Sequence, residues 1–111
     1  METDLEASTF QNKPAYRYIR ESDKLPTIEV GLFEEPAMAR IKIFDPTGLW
    51  TWYINSYDPD TRIAFGFVDG FELEYGEFSM EELCEARGKL GLPLERDLYW
   101  TPCPMKDIER K

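Results

Sequence analysis

Apolar and polar positions alternate along residues 37–78 in a way that predicts successive β-strands. In Ala37–Phe44, Ala39, Ile41 and Ile43 oppose Met38, Arg40 and Lys42, the period of a half-buried strand. Asp45-Pro46-Thr47-Gly48 carries the Asp, Pro and Gly positions of a type I turn. Leu49–Tyr57 and Arg62–Val68 are apolar on both faces, as central strands are, and Asp58-Pro59-Asp60-Thr61 turns between them. Asp69-Gly70 joins two alternating runs, a hairpin signal. Beyond it, Phe71, Leu73 and Tyr75 share one face and Glu72 and Glu74 the other; Gly76, where the phase changes before Phe78, predicts a bulge or bend.

Ser79-Met80-Glu81-Glu82 has the spacing of a capping box, so a helix starts there and runs to about Arg87, with Gly88 suited to its end. Met80, Leu83 and Cys84 lie on the side that faces the sheet. Outside this block the pattern is shorter. Ile28, Val30 and Leu32, between Pro26 and Pro36, predict a half-buried strand, and Leu98-Tyr99-Trp100 a last short one. Tyr16-Arg17-Tyr18-Ile19-Arg20 reads as an edge strand or extended arm, and residues 1–12 as a loose polar leader.

The expected fold is therefore α+β. An antiparallel four-stranded meander (about 37–78) carries one helix (about 80–87) packed on it, with flanking short strands. Residues 1–24 are expected as a leader, partly disordered or an extended arm, and 25–111 as a single α+β domain. Because both central strands are apolar on both faces, the second face must be covered by the N-terminal third, the C-terminal tail or a partner.

Composition changes the picture in two ways. The 111 residues contain no histidine, which removes the usual general base, the His-dependent nucleophile systems and every His-containing metal site. Their 22 acids and 13 bases leave a net charge of −9, which disfavours direct binding to nucleic-acid backbone. That charge is local: residues 58–82 hold eight acids and one base, a net of −7. Cys84 and Cys103 follow no metal-ligand spacing and are expected as reduced thiols. The acidic N-terminus lacks the features of a secretory signal, and no apolar run is long enough to span a membrane. A cytoplasmic protein with no membrane partner is expected.

Four segments in series carry a family resemblance: Trp50-Thr51-Trp52-Tyr53, Phe65-Gly66-Phe67-Val68-Asp69-Gly70, Glu74-Tyr75-Gly76-Glu77-Phe78-Ser79-Met80-Glu81-Glu82-Leu83, and Gly91-Leu92-Pro93-Leu94-Glu95-Arg96-Asp97-Leu98. Over roughly residues 25–104 the chain resembles the domain-of-unknown-function family 2958. The resemblance implies a bacterial, phage or plasmid setting, in which anti-restriction or DNA-processing genes are sometimes neighbours. It implies no activity, cofactor or catalytic residue.

Three constellations are candidates for function. The acids Asp58, Asp60, Glu72, Glu74 and Glu77 suit either a solvated hairpin edge and capped helix start, or a negative surface that docks on a basic protein partner, of which a DNA mimic is a special case. Asp58-Pro59-Asp60 begins like a calcium loop, but no further ligands follow at the required spacing. Trp50 and Trp52 belong to an aromatic core or, if their face is uncovered, to a ligand or partner site. Arg96, within Glu95-Arg96-Asp97, suits a bidentate ion pair with a carboxylate from the sheet, or a bound ligand. With no cofactor implied, the expected function is a non-enzymatic protein–protein interaction module of a phage or mobile element. The alternatives are a small-ligand-binding module on the aromatic face and a His-independent carboxylate enzyme.

Overall fold

The computed structural model describes residues 3–10 and 13–109. Its strands and helices are β1 (Asp4–Ala7), β2 (Arg17–Arg20), α1 (Ile28–Leu32), β3 (Met38–Ala39), β4 (Ile41–Phe44), β5 (Thr51–Asp58), β6 (Ile63–Asp69), β7 (Leu73–Ser79), α2 (Met80–Glu85), β8 (Glu95–Arg96), β9 (Cys103–Pro104) and α3 (Met105–Glu109). Short 3-10 turns precede and follow β2. The main sheet has five antiparallel strands in the order β7-β6-β5-β4-β8. Two small ribbons, β1-β2 and β3-β9, complete the α+β fold.

Both faces of the sheet are covered. On one, Ile41, Ile43, Ile54 and Ala64 pack with Met80, Leu83 and Cys84 of α2 and with Tyr18 and Ile19 of β2. On the other, Tyr53 and Phe67 pack with Ala39 and with Met105 and Ile108 of α3. The Ser79 hydroxyl accepts from the Glu82 amide at 3.2 Å, so the start of α2 follows from its sequence signature.

The N-terminal segment is thus integral to the fold. Tyr18 and Ile19 are wholly buried, and the Tyr18 hydroxyl donates to the Leu94 carbonyl at 2.8 Å. The Tyr16–Arg20 strip is a core ribbon paired with β1. Within the expected leader, residues 1–2 and 11–12 lie outside the described residues.

Several local expectations are corrected. Residues 28–32 form a helix, not a strand. Thr27 caps it by accepting from the Val30 amide, and Ile28 and Leu32 are also one helical turn apart, so a period of two was ambiguous over five residues. Gly31 is required there: a Cβ would lie 2.2 Å from Asn55 Oδ1. The strand expected at 37–44 divides at Arg40, so that Met38 and Ala39 pair with β9 while Ile41–Phe44 pairs with β5. The register shift falls at Asn55 in β5; β6 and β7 pair through Gly76 without interruption. The phase change near Gly76 arises because β7 half-buries Phe78 on one face after turning Leu73 and Tyr75 to the other. Helix α2 stops at Glu85, with Ala86 extended, and the left-handed glycine is Gly91 (φ 74°), not Gly88. Residues 98–100 form a turn because the Asp97 carboxylate accepts from the Tyr99 amide at 2.9 Å.

Candidate functional site

Among the described residues, the sheet has one long edge strand, β7. This strand has seven residues, no proline and no bulge, and among the described residues it pairs with β6 alone; the opposite edge, β8, has only two residues. Glu72, Glu74 and Glu77 are exposed along it. Between them Leu73 is 37% and Tyr75 54% exposed, far above a strand that is packed on either side. The Tyr75 ring lies 4.0 Å from that of Phe67 and stacks at 6.4 Å on that of Phe65. The edge is therefore backed by rigid aromatic groups.

The hairpin that leads into β7 extends this surface. Trp50 packs edge-on against Phe71 at 5.5 Å and lies 6.1 Å from Trp52. A Cβ on Gly70 would meet the Trp50 ring at 2.5 Å, so only glycine lets the turn pass beneath the indole. Trp52 packs against the first core, whereas Trp50 is 38% and Phe71 94% exposed. Beside them is a cavity of about 640 Å³ whose lining includes Asp45, Leu49 and Lys89.

The sequence candidates thus fall into two places. Glu72, Glu74, Glu77, Trp50 and Trp52 lie on or beside the β6–β7 hairpin and the edge it forms. Asp58 pairs with Ile63 and thence Ser79, at the far end of the sheet. There the Asp58 carboxylate accepts from the Asp60 amide at 2.9 Å, which closes the β5–β6 turn. Among the described residues, no three Cys, Asp or Glu side chains converge as metal ligands do.

A buried polar cluster went unseen in the sequence. Glu6 of β1 is 2% exposed, and its carboxylate accepts from the Tyr57 hydroxyl, from Arg62 (Nη2 to Oε1 at 2.8 Å) and from the Cys84 thiol at 3.3 Å. Burial, and then the Glu6 charge, push the Cys84 thiol up to about 12. Burial and the bond to Glu6 likewise raise the Tyr57 phenol, and the Glu6 carboxylate raises Arg62. The carboxylate is enclosed and saturated with donors, so it ties β1 to the sheet and offers no face to a substrate. Glu6 sits in a polar stretch with no periodicity, and only its distant partners reveal its role.

Ion pairs of Arg96 and Arg40 brace two other parts of the fold. Arg96 forms the bidentate contact its sequence suggested, but with Asp23 beyond β2 rather than with a sheet residue, at 2.7 and 2.9 Å. Burial alone would raise the Asp23 carboxyl; hydrogen bonds from Arg96 and the Arg20 amide outweigh it and hold the group below the usual range. Arg40 pairs with Glu34 and donates to the Asn55 carbonyl at 3.0 Å, bracing the irregular part of β5. That contact with Arg40 holds the Glu34 carboxyl low.

The family described as "Protein of unknown function (DUF2958)" matches the chain over residues 4–106. The chain belongs to this family. The DUF2958 match takes in β1, β2 and the start of α3 as well as the main sheet, a longer span than the 25–104 of the resemblance, as the packing of Tyr18 and Ile19 requires. No curated protein and no solved structure matches the chain. No helix among the described residues is long and apolar enough to cross a membrane.

Proposed function

We propose that this DUF2958 protein is a non-enzymatic interaction module that docks on a basic protein through the β6–β7 hairpin and the outer edge of β7. The observation that carries this reading is the exposed run of Glu72, Glu74 and Glu77 with Leu73 and Tyr75 among them. Acids at the rim of such a surface speed and orient encounter with a positive partner, and the exposed apolar groups supply burial once contact is made. The buried Glu6 cluster fits the same reading, because its groups are committed to one another. The setting proposed from the family resemblance is a cytoplasmic protein of a phage or other mobile element, with a host defence or DNA-processing protein as its target.

Affinity capture from a bacterial host, with the wild-type chain beside Glu72→Lys/Glu74→Lys/Glu77→Lys, tests this. A basic protein held by the wild type and lost by the variant supports it. Capture that is indifferent to the three substitutions overturns it.

The cavity beside Trp50 supports a second reading, a small-ligand site walled by Trp50 and Phe71. Binding there would change tryptophan fluorescence, and a ligand screen that leaves the emission unchanged argues against it.

A further inference from the structure

We infer that Arg40, the Met38 amide and Asn55 form a carboxylate-binding site that the chain's own Glu34 occupies, and that a small organic acid with a hydroxyl or ammonium group beside its carboxylate displaces it. The Glu34 carboxylate accepts from both Nη atoms of Arg40, from the Met38 amide at 2.9 Å and from Asn55 Nδ2 at 3.2 Å. Two guanidinium donors, one main-chain N–H and one side-chain amide together match a carboxylate. These donors are held in place by bonds that do not involve Glu34. Arg40 Nη1 also donates to the Asn55 carbonyl at 3.0 Å, and Asn55 Nδ2 to the Met38 carbonyl at 2.8 Å, while Met38 is paired with Pro104 of β9. The Arg40 and Glu34 side chains are both partly exposed, so an acid in solution can reach them.

The present occupant is weakly held and imperfectly matched. Glu34 follows α1, of which only Gly31 is buried, while Val30, Leu32 and Phe33 are exposed. The helix therefore gains little from apolar burial on the sheet. Beneath Gly31, Asn55 Oδ1 and Ser56 Oγ are wholly buried and find no hydrogen-bond partner among the described residues. Buried polar atoms are normally paired, and these two face the segment that carries Glu34. Asn55 Oδ1 and the Nδ2 that holds the carboxylate belong to one amide, so a donor group next to a bound carboxylate comes within reach of Oδ1 once α1 lifts. Glutamate has only a methylene at that position and leaves the oxygen unpaired. A cavity of about 300 Å³, whose lining includes Glu34, Gly31, Phe65 and Met105, adjoins the site and suits an apolar tail on the acid.

The test uses the isotope-labelled full chain and three probes. Leucate has a hydroxyl beside its carboxylate and an apolar tail, isocaproate lacks the hydroxyl, and leucic amide lacks the carboxylate. In Glu34→Ala, leucate should saturably shift the Met38 backbone amide and the Asn55 side-chain amide. Its affinity should be at least about tenfold higher than in the wild type, where Glu34 competes from within the chain. Isocaproate should bind about tenfold more weakly than leucate, because Asn55 Oδ1 stays unpaired, and leucic amide should not bind. Arg40→Met in the Glu34→Ala background should abolish the response. In the wild type, saturating leucate should speed exchange at the Gly31 and Glu34 amides, because a helix of five residues does not persist once it leaves the sheet. Should Glu34→Ala fail to fold, Glu34→Gln takes its place with the same predictions. No saturable shift in the variant, equal affinity in the wild type and the variant, or binding that survives Arg40→Met overturns the inference. Equal binding of leucate and isocaproate overturns the role given to Asn55 Oδ1.

Discussion

Arg62 grips Glu6 with two donors, Nη2 2.8 Å from Oε1 and Nε 3.1 Å from Oε2, and so pins the N-terminal strand to the β5–β6 turn. The two partners are not equivalent. The Glu6 side chain is fully enclosed, whereas Arg62 is 43% exposed and holds a left-handed backbone (φ 60°). Arg62→Ala leaves a buried carboxylate without its counter-ion and is expected to cost about 3 kcal/mol. Glu6→Ala leaves Arg62 free to be solvated and chiefly orphans the Tyr57 hydroxyl, at about 2 kcal/mol. Arg62→Gly should be about 1 kcal/mol milder than Arg62→Ala, because glycine relieves the left-handed backbone. Urea unfolding of the three variants checks the order.

Acid should weaken the fold through Asp23 and Glu34. Both carboxyls are held below their ordinary values in the folded chain, so the unfolded chain takes up protons first as pH falls. Their contribution is complete above the ordinary carboxyl range of about 4 and is lost as pH drops through the lower folded values. Asp23→Asn should lower stability at neutral pH and flatten this acid limb. Urea midpoints between neutral pH and the acid limb measure both effects.

The alkaline limb has the opposite sign. The Cys84 thiol and Tyr18 phenol are both raised to about 12, Tyr18 chiefly by burial, so their stabilising contribution is present below their ordinary values and is lost as pH climbs toward 12. At pH 8 the native Cys84 should carry about a thousandfold less thiolate than an ordinary exposed thiol. Alkylation followed by mass spectrometry should therefore modify Cys84 only once the chain is unfolded.

Gly66 and Gly76 face each other across β6 and β7 but should respond differently to a methyl group. A Cβ on Gly66 would lie 1.8 Å from the Tyr53 carbonyl oxygen, a backbone atom, while one on Gly76 meets nothing within 4 Å. Gly66→Ala is expected to cost about 3 kcal/mol or more. Gly76→Ala should change stability by less than about 0.5 kcal/mol. Thermal unfolding of the two variants decides this.

The parts of the fold legible in the sequence are those whose signal is local. The Asp45–Gly48 turn, the Asp69-Gly70 hairpin, the Ser79 cap and the burial of Met80, Leu83 and Cys84 each follow from a few adjacent residues. What stayed hidden depends on residues far apart in the chain. Glu6 is an ordinary acid until Tyr57, Arg62 and Cys84 surround it, and Gly31 is an ordinary glycine until Asn55 and Ser56 pack beneath it. The candidate surface was readable as composition, an acidic run beside aromatics. Its geometry was not, because sequence alone does not say that β7 is an edge or that Glu77 lies on the face opposite Glu72 and Glu74.

The most direct test of the account is the affinity of one purified, host-captured basic partner for the wild type and for Glu72→Lys/Glu74→Lys/Glu77→Lys, measured at low and high salt. The account predicts binding at least about tenfold weaker in the variant, with most of the wild type's salt dependence lost. Equal affinity and equal salt dependence for the two proteins would contradict it.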